Sequence, residues 1–285
     1  MTDIYNSEEF ATLIELAYRE DAPTGDLSTR YILSESDRAI ATLIAKDDGI
    51  VSGLEVAYMV LCRCTPEEEI TFTSEYEDGD EVRKGDILAT IEAPYAELLR
   101  AERIMLNFLQ RMSGIATYTH QCVQCVSGTK TQILDTRKTA PGHRLTDKMA
   151  VRDGGGTNHR ASLSDMVMLK DNHIAMAGGI LPAVEEVRPH LPISIQIEVE
   201  TTTLEEVQEA LDAGADIIML DNMDIETMRR AVVLINGQAK VEASGNMTVE
   251  RLAAVAAVGV DYISIGALTH SVRAFDISMK IKPIQ

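Results

Sequence analysis

The chain has 285 residues, of which 45% are hydrophobic, and its formal net charge is −19 at pH 7. This length and apolar content predict a folded protein of one large or two medium domains and exclude a disordered chain. The negative charge would repel phosphate backbones, and the absence of Trp removes one base-stacking residue, so nucleic acid is a poor partner. No apolar run approaches membrane-spanning length and residues 1–10 lack a signal-peptide pattern, so we expect no membrane partner and a cytoplasmic location.

The first 114 residues predict an α+β sandwich domain. Residues 7–20 have the apolar spacing of an amphipathic helix, and Ser7 precedes them as an N-cap. Residues 94–126 predict one long helix or two consecutive helices, with a break near Ser113-Gly114. The other predicted elements are strands over 39–45 and 50–52, a helix over 53–64 and strand pieces within 70–92.

Two Gly-Asp pairs, at 79–80 and 85–86, mark turns in the segment EDGDEVRKGDILATIEA. This segment resembles the hairpin of lipoyl-type or biotinyl-type domains, which present a lysine for modification. Lys84 lies beside the second turn, but the residues around it lack a carrier signature. A non-catalytic carrier or binding protein is therefore a minor alternative.

From residue 131 onward, short apolar segments alternate with helical patterns. This alternation predicts a parallel sheet, and over this length an incomplete α/β barrel of about six or seven strands. We assign the barrel to residues 115–272 and expect residues 273–285 to form a tail that packs back on the N-terminal domain. The predicted strands are 132–136, 166–169, 193–199, 217–220, 239–242 and 262–265, and the predicted helices are 147–153, 178–188, 203–213, 224–235 and 248–258.

Polar or glycine-rich residues follow each predicted barrel strand. The carboxyl ends of barrel strands form one face, where the chemistry of α/β barrels is found. Along the chain these ends carry cations first, acids next and glycines last, an order that solvated loops do not easily explain. The residues are Asp135-Thr136-Arg137-Lys138, Lys170-Asp171-Asn172-His173, Glu198-Val199-Glu200, Asp221-Asn222, Ser244-Gly245-Asn246 and Gly266-Ala267.

A basic stretch occurs within this acidic chain. Residues 137–170 contain seven Lys or Arg and three acids, a local excess of four positive charges. A solvated helix face over 147–153 would account for Lys148 and Arg152. The other cations lie mostly at strand ends or in a glycine-rich loop, which favours a focused anion site.

The loop RDGGGTNHR, residues 152–160, places His159 and Arg160 directly after three glycines. Glycines let the backbone approach a ligand closely, and an arginine can bind a planar carboxylate through two parallel hydrogen bonds. A flexible linker is the alternative interpretation of the glycines.

Two further patterns favour phosphate and metal binding. Residues 244–246 open a helix after the fifth barrel strand and residues 266–267 follow the sixth, where barrels often build phosphate sites from backbone N–H groups. Glu200 and Asp221 end adjacent strands, and Mg²⁺ is usually held by one or two carboxylates together with substrate oxygens. Ordinary turn chemistry and salt bridges to nearby lysines are the alternatives.

The cysteines give a weaker signal. Cys122 and Cys125 form a Cys-x-x-Cys pair, but the pair lies in a predicted helix and no second pair with metal-binding spacing occurs. We therefore favour an ordinary structural role for both residues.

Several long segments occur in a fixed order along the chain. They are EDAPTGDLST (20–29), ERIMLNFLQRMSGIAT (102–117), ILDTRKTAPGHR (133–144), KMAVRDGGGTNHR (148–160), LKDNHI (169–174), IEVE (197–200), MLDNM (219–223), VEASGN (241–246) and ISIGALTHS (263–271). These segments closely resemble the motifs of the quinolinate phosphoribosyltransferase family, also called carboxylating nicotinate-nucleotide pyrophosphorylases. The resemblance spans nearly the whole chain.

The resemblance implies a pentosyltransferase that moves the phosphoribosyl group of PRPP to the ring nitrogen of quinolinate. Loss of pyrophosphate and CO₂ then gives nicotinate mononucleotide for de novo NAD synthesis, with Mg²⁺ as the cofactor. It also implies a homodimer, or a dimer-based hexamer, in which Arg103 reaches the site of a neighbouring subunit. A related pyrophosphorylase with a different acceptor is the closest alternative.

The resemblance further implies roles for individual residues. Its catalytic group is Lys138, Lys170, Glu200 and Asp221, of which the two acids serve Mg²⁺ and the ribose hydroxyls. The residues expected to bind the quinolinate carboxylates are Arg103, Arg137, His159, Arg160 and Lys170. The residues expected to bind the phosphates of PRPP are Lys138, Ser244, Gly245, Asn246, Gly266 and Ala267.

Overall fold

The computed structural model describes residues 7–34 and 36–284. They form two compact units, each built from separate stretches of the chain. The first, here called the N-terminal unit, contains the described residues up to His120, the segment Thr139–Gly155 and the residues from Thr269 onward. The second, here called the barrel unit, contains Gln121–Lys138 and Gly156–Leu268. The two units are therefore interleaved along the sequence.

The first helix, α1 (Glu8–Asp21), begins where the sequence predicts it. Ser7 caps the helix, because its Oγ accepts a hydrogen bond of 3.2 Å from the backbone N–H of Phe10. Phe10, Ile14 and Tyr18 recur every four residues and are buried on one side. The helix therefore packs through an apolar stripe and leaves four of its five acidic residues exposed.

An antiparallel four-stranded sheet forms the body of the N-terminal unit. The elements of this region are β1 (Arg38–Ala45), β2 (Gly49–Ile50), α2 (Leu54–Cys62), β3 (Thr71–Thr73), β4 (Glu81–Val82), β5 (Ile87–Pro94) and, at the end of the chain, β12 (Ile277–Pro283). The strand order is β12-β1-β5-β3, and β2 pairs separately with β4. Alternate residues of β1 are buried, in agreement with the period-two pattern that predicted the strand.

One uninterrupted helix, α3 (Tyr95–Cys125), follows this sheet. The predicted break near Ser113-Gly114 is wrong, because both residues serve close packing rather than a turn. Ser113 is fully buried, and its Oγ accepts a hydrogen bond of 3.0 Å from the backbone N–H of Ser52. A Cβ atom at Gly114 would overlap the carbonyl oxygen of Arg273.

The helix α4 (Arg144–Asp153) belongs to the N-terminal unit, although it lies between two barrel strands in the chain. Asp147 is fully buried and accepts two hydrogen bonds of 2.8 Å from the guanidinium of Arg111. At the helix end, a Cβ atom on Gly154 would overlap the carbonyl oxygen of Ala116. Helix packing therefore explains the first of the three consecutive glycines.

The barrel unit contains a parallel sheet of six strands, which confirms the predicted incomplete α/β barrel. The strands are β6 (Gln132–Leu134), β7 (Val167–Leu169), β8 (Ile197–Thr201), β9 (Ile217–Asp221), β10 (Lys240–Ser244) and β11 (Tyr262–Ser264). The helices that follow them are α5 (Asp171–Ala177), α6 (Ile180–Val187), α7 (Leu204–Asp212), α8 (Ile225–Ile235), α9 (Val249–Ala256) and α10 (Ala267–His270). The order is β6-β11-β10-β9-β8-β7, and a single parallel bridge joins Thr157 to Leu134 of β6.

Two local predictions in the barrel differ from the structure. The strand predicted over 193–199 begins only at Ile197, because the backbone N–H of Ile195 donates to the carbonyl oxygen of Pro192 at 3.0 Å and closes a turn. The helix α5 was not predicted. None of its described residues is buried, so it has no apolar stripe that a sequence pattern could reveal.

Within residues 7–34 and 36–284, no helix combines the length and the apolar composition that a membrane crossing requires. Within the described residues none of the four cysteines takes part in a disulfide, and Cys122 is buried. Cys122 and Cys125 therefore form no disulfide with each other.

Candidate active site

The carboxyl ends of β6 to β11 form one side of the barrel unit, here called the strand-end face. The predicted site residues of the barrel unit lie at this face or in the loop 156–166 that leads into β7. They are Arg137 and Lys138 after β6, His159 and Arg160 before β7, Lys170 after β7, Glu200 in β8, Asp221 in β9, Ser244, Gly245 and Asn246 at the end of β10, and Gly266 and Ala267 after β11. Arg103 differs from these residues, because it lies exposed on α3 in the N-terminal unit.

An ion pair links the ends of the neighbouring strands β7 and β8. The Nζ of Lys170 lies 2.6 Å from Oε2 of Glu200, and the two side chains are 45% and 16% exposed. A partly exposed ion pair contributes little to stability, so its main effect is to hold the ammonium group at the strand-end face. Lys170 also caps α5, where its backbone N–H donates to Nδ1 of His173 at 3.1 Å.

Two asparagines with left-handed backbone conformations shape the loops after β9 and β10. Asn222 and Asn246 have φ values of 55° and 50°, which Asn tolerates better than most residues. Nδ2 of Asn222 donates to Oδ2 of Asp221 at 2.7 Å, and Nδ2 of Asn246 donates to Oδ1 of Asn222 at 3.0 Å. Gly245 has a φ of 89°, and a Cβ atom there would overlap the Asn222 side chain. The two loops are therefore interlocked.

Arg251 on α9 connects the same two loops. Its Nη1 donates to the carbonyl oxygen of Asn246 and its Nη2 to that of Met223, both at 3.2 Å. The sequence did not identify this residue, because a cation within a helical pattern predicts only a solvated face. The structure adds a positive charge beside the loop that we expect to hold a phosphate.

A buried carboxylate fixes the loop that carries His159. Asp135 is fully buried, and its two oxygens accept hydrogen bonds of 2.6 Å from Nδ2 of Asn158 and 2.8 Å from the backbone N–H of His159. The backbone N–H of Asp135 donates to the carbonyl oxygen of Thr157 at 3.2 Å. These bonds hold residues 157–159 against the end of β6.

The imidazole of His159 lies between two buried carboxylates. Its Nε2 is 3.1 Å from Oε2 of Glu198 and 3.4 Å from Oε2 of Glu242, and all three side chains are at most 7% exposed. Its Nδ1 accepts a hydrogen bond of 2.7 Å from the backbone N–H of Arg160. Both ring nitrogens therefore face protein groups, with a proton on Nε2 and a lone pair on Nδ1.

The two carboxylates act on the pKa of His159, and Glu242 acts on the pKa of Glu198. Burial alone would lower the pKa of His159, but its close contacts with Glu198 and Glu242 and their charges outweigh burial and raise the pKa to about 9. The N–H of Arg160 opposes a second proton on the ring, because the hydrogen bond of 2.7 Å needs the lone pair of Nδ1. In this geometry the ring is therefore neutral, with its one proton on Nε2. Burial and the charge of Glu242 raise the pKa of Glu198 to about 7.

The same three side chains could also be considered as metal ligands. Their ligand atoms lie within 4.8 Å of one another, and two carboxylates with one imidazole are ligand types for a divalent metal. A metal-bound histidine coordinates through a bare nitrogen and donates its other N–H to an acceptor. In His159 the bare nitrogen is Nδ1, which accepts from Arg160, so this hydrogen bond disfavours a metal on Nε2.

The guanidinium of Arg160 lies in an environment that disfavours its charge. Its pKa is lowered first by burial and then by the positive charge of Arg137, while Glu198 acts in the opposite direction. Nη1 of Arg160 donates to the carbonyl oxygen of Met166 at 3.0 Å. Two repelling cations in a partly buried place suit an anion, because an anion between them would offset the repulsion.

In the sequence, Glu198 was predicted only as part of a polar strand end, and Glu242 was not predicted as a site residue. The signal for both was their position inside apolar strands, where a charge is costly unless it has a partner. Glu198 alternates with Glu200 along β8, and Glu242 precedes Ser244 by two residues in β10. Side chains two residues apart share one face of a strand, so each acid lies on the same face as a predicted site residue.

Two family models match the chain. The model described as the N-terminal domain of quinolinate phosphoribosyl transferase matches residues 26–113. The model described as the C-terminal domain of quinolinate phosphoribosyl transferase matches residues 115–280. Together the two models cover most of the chain.

Relatives and solved structures agree with this match. The chain is 42% identical over 279 residues to the probable nicotinate-nucleotide pyrophosphorylase (carboxylating) of Bacillus subtilis (strain 168), which covers 97% of this chain and 94% of the relative. It is 44% identical over 292 residues to the chloroplastic nicotinate-nucleotide pyrophosphorylase (carboxylating) of Arabidopsis thaliana, which covers 96% of this chain and 83% of the relative. The crystal structure of NadC from Streptococcus pyogenes matches with a TM-score of 0.92 and 40% identity, over 97% of this chain and 98% of that chain. The chain therefore belongs to the quinolinate phosphoribosyltransferase family.

Proposed function

We propose that this chain transfers the phosphoribosyl group of PRPP to the ring nitrogen of quinolinate and releases one carboxylate as CO₂. The products are nicotinate mononucleotide, pyrophosphate and CO₂, which makes the reaction a step of de novo NAD synthesis. This chain belongs to the family, and the observation that carries the proposal is the order of charges along its strand-end face. Cations follow β6 and β7, acids lie in β8 and β9, and a glycine-containing loop follows β10. Both substrates are polyanions, and this face offers groups that complement them.

The cationic part of the strand-end face suits the two carboxylates of quinolinate. The charges of Arg137 and Arg160 repel each other, and a guanidinium can bind a carboxylate through two parallel hydrogen bonds. Lys170 adds a point charge from the end of β7. The sequence predicted that His159 binds a quinolinate carboxylate directly. Because both its ring nitrogens face protein groups, we propose instead that it contributes by holding the backbone of Arg160. An acceptor held by these cations would present its ring nitrogen to the sugar in a fixed direction, which lowers the entropic cost of the reaction.

Glu200 and Asp221 suit a magnesium ion that is bound together with PRPP. Oε2 of Glu200 is occupied by Lys170, and Oδ2 of Asp221 accepts from Asn222. Within the part of the chain that the structure describes, each carboxylate thus keeps a second oxygen for a metal ion. When bound, Mg²⁺ would neutralise charge on the departing pyrophosphate.

Other groups of the chain are expected to bind the phosphate parts of PRPP. Lys138 is expected beside the pyrophosphate, and the backbone N–H groups of residues 244–246 and 266–267 are expected to hold the 5-phosphate. A nearby carboxylate would stabilise the sugar carbon as positive charge develops on it. Once the ring nitrogen carries the sugar, the pyridinium ring can accept the electron pair that CO₂ leaves behind. A proton then takes the place of the lost carboxylate, and no protein nucleophile is required.

The assembly and the location of the protein are also proposals. Arg103 is exposed on α3, so its guanidinium is accessible to a second subunit in a homodimer or a dimer-based hexamer. The cytoplasmic location stays a prediction from the sequence, and the Arabidopsis thaliana relative is named as chloroplastic.

A coupled assay that detects nicotinate mononucleotide tests the proposed function. We expect product from quinolinate, PRPP and Mg²⁺, with one CO₂ per product, and no product after the metal is chelated. Nicotinate should not replace quinolinate, because it lacks the second carboxylate that the cations are expected to bind. Product from nicotinate and none from quinolinate would instead support a related pyrophosphorylase with a different acceptor.

Replacing Arg137 by Ala should strongly reduce kcat/KM and leave the fold intact. The loss of one charged partner of a bound carboxylate costs about 2–5 kcal/mol, which corresponds to a loss of roughly 30-fold to several thousand-fold in kcat/KM. Arg229→Ala is a matched control, because Arg229 is half-exposed on α8 and pairs only weakly with Glu226 at 3.7 Å. Near-normal kcat/KM in Arg137→Ala, with unchanged thermal unfolding, would remove Arg137 as the anchor for quinolinate.

Replacing Asp221 by Asn should mainly impair the use of Mg²⁺ and PRPP. The amide keeps the shape of the side chain and removes its charge, so we expect higher KM values for PRPP and Mg²⁺ with little change in the KM for quinolinate. Asp212→Asn, at the exposed end of α7, is the matched control and should behave like the unaltered enzyme. Titrations of Mg²⁺ and PRPP that superimpose for Asp221→Asn and the unaltered enzyme would contradict this role.

A further inference from the structure

Two glutamates inside the barrel unit have no role in the chemistry described so far. Glu198 and Glu242 are 0% and 1% exposed. Glu198 lies two residues before Glu200 in β8, and Glu242 lies two residues before Ser244 in β10. A buried carboxylate is costly unless it has a hydrogen-bond donor or an opposite charge. Because two carboxylates are buried here, we expect a specific group that offsets the free-energy cost of burying them.

The partner of both carboxylates is His159. Its Nε2 lies 3.1 Å from Oε2 of Glu198 and 3.4 Å from Oε2 of Glu242. None of the four oxygens of these carboxylates accepts a well-formed hydrogen bond within the described residues, so the two approaches of Nε2 to Oε2 are ion-pair contacts. The combined attraction of two carboxylates for one ring nitrogen fixes the orientation of the ring and favours a proton on Nε2.

The fixed ring in turn fixes the chain that follows it. Because the proton stays on Nε2, Nδ1 keeps a lone pair and accepts the backbone N–H of Arg160 at 2.7 Å. Asp135 holds the other side of the same residue through the N–H of His159 at 2.8 Å. The backbone at residues 159–160 is thus held from both sides, and the Arg160 side chain continues from it to the carbonyl oxygen of Met166 at 3.0 Å.

We infer that Glu198 and Glu242 are positioning residues, which act through His159 to set the place of Arg160 for the acceptor. This inference rests on the proposed binding of quinolinate by Arg160. Neither glutamate needs to touch a substrate for this role.

Two double variants test whether acceptor oxygens at positions 198 and 242 are needed to position Arg160 through His159. Glu198→Met with Glu242→Met removes both acceptors and retains side-chain length, whereas Glu198→Gln with Glu242→Gln keeps one acceptor oxygen at each position. We expect the Met pair to raise the KM and the Kd for quinolinate by about tenfold to hundredfold, with the KM for PRPP unchanged, because a small misplacement of a binding group has effects of this size. The Gln pair should recover most of the affinity for quinolinate.

Asp216→Asn is the matched control for these variants. Asp216 belongs to the barrel unit but lies before β9, where it accepts the N–H of Ile197 and pairs with Arg188 at 2.9 Å. Both KM values should be unchanged in this variant. A Met pair with an unchanged Kd for quinolinate, or a Gln pair as impaired as the Met pair, would overturn the inference.

A measurement on the unaltered enzyme keeps the inference testable if the variants fail to fold. Nitrogen NMR of ¹⁵N-histidine-labelled protein should show a proton on Nε2 and a lone pair on Nδ1 of His159. A bare Nε2, including one that coordinates a metal, or a protonated Nδ1 would overturn the inference. These outcomes are distinct from failure of the proposed function, which would appear as an unaltered enzyme that forms no nicotinate mononucleotide from quinolinate.

Discussion

The strand-end face depends on holding positive charges together at the end of a barrel whose strands are largely apolar. Arg137 disfavours the charge of Arg160, and burial of the Arg160 guanidinium adds to this effect. The barrel offsets part of this cost with acids on neighbouring strands, since Glu200 pairs with Lys170 and Glu198 favours the charged Arg160. Two anionic substrates would supply the remaining negative charge, so their binding should also stabilise the folded protein.

The backbone prepares this face before any ligand arrives. Asp135 ties one loop to the end of β6, and Asn222 and Asn246 interlock the loops after β9 and β10. Arg251 then joins these last two loops through their carbonyl oxygens. Binding groups that are fixed in advance lose little conformational entropy when the substrate binds, which is the physical basis of preorganisation.

Much of the fold could be predicted from local patterns. The barrel strands are short apolar segments that end in polar residues, and β9 reads as IIMLD, with four buried residues before its terminal acid. Gly114 misled the prediction, because a glycine that permits close packing and a glycine that ends a helix look the same in a sequence. The helix α5 escaped the prediction because none of its described residues is buried.

The strand-end cations and acids could be predicted for a geometric reason. Parallel strands bring residues that are distant in the sequence to one face, so the position after each strand is sufficient to group them. The sequence did mark Glu198 and Glu242, because each is a charged residue inside an apolar strand and lies two residues from a predicted site residue. The partnership of both acids with His159 depends on contacts across the barrel that no local pattern records.

A crystal structure of the protein with quinolinate bound tests the central claim most directly. We expect the two carboxylates of quinolinate to lie on the strand-end face, within hydrogen-bond distance of Arg137 and of Arg160 or Lys170. We also expect His159 to stay between Glu198 and Glu242. Quinolinate bound away from these cations, or a bound state in which they point to separate surfaces, would contradict the account.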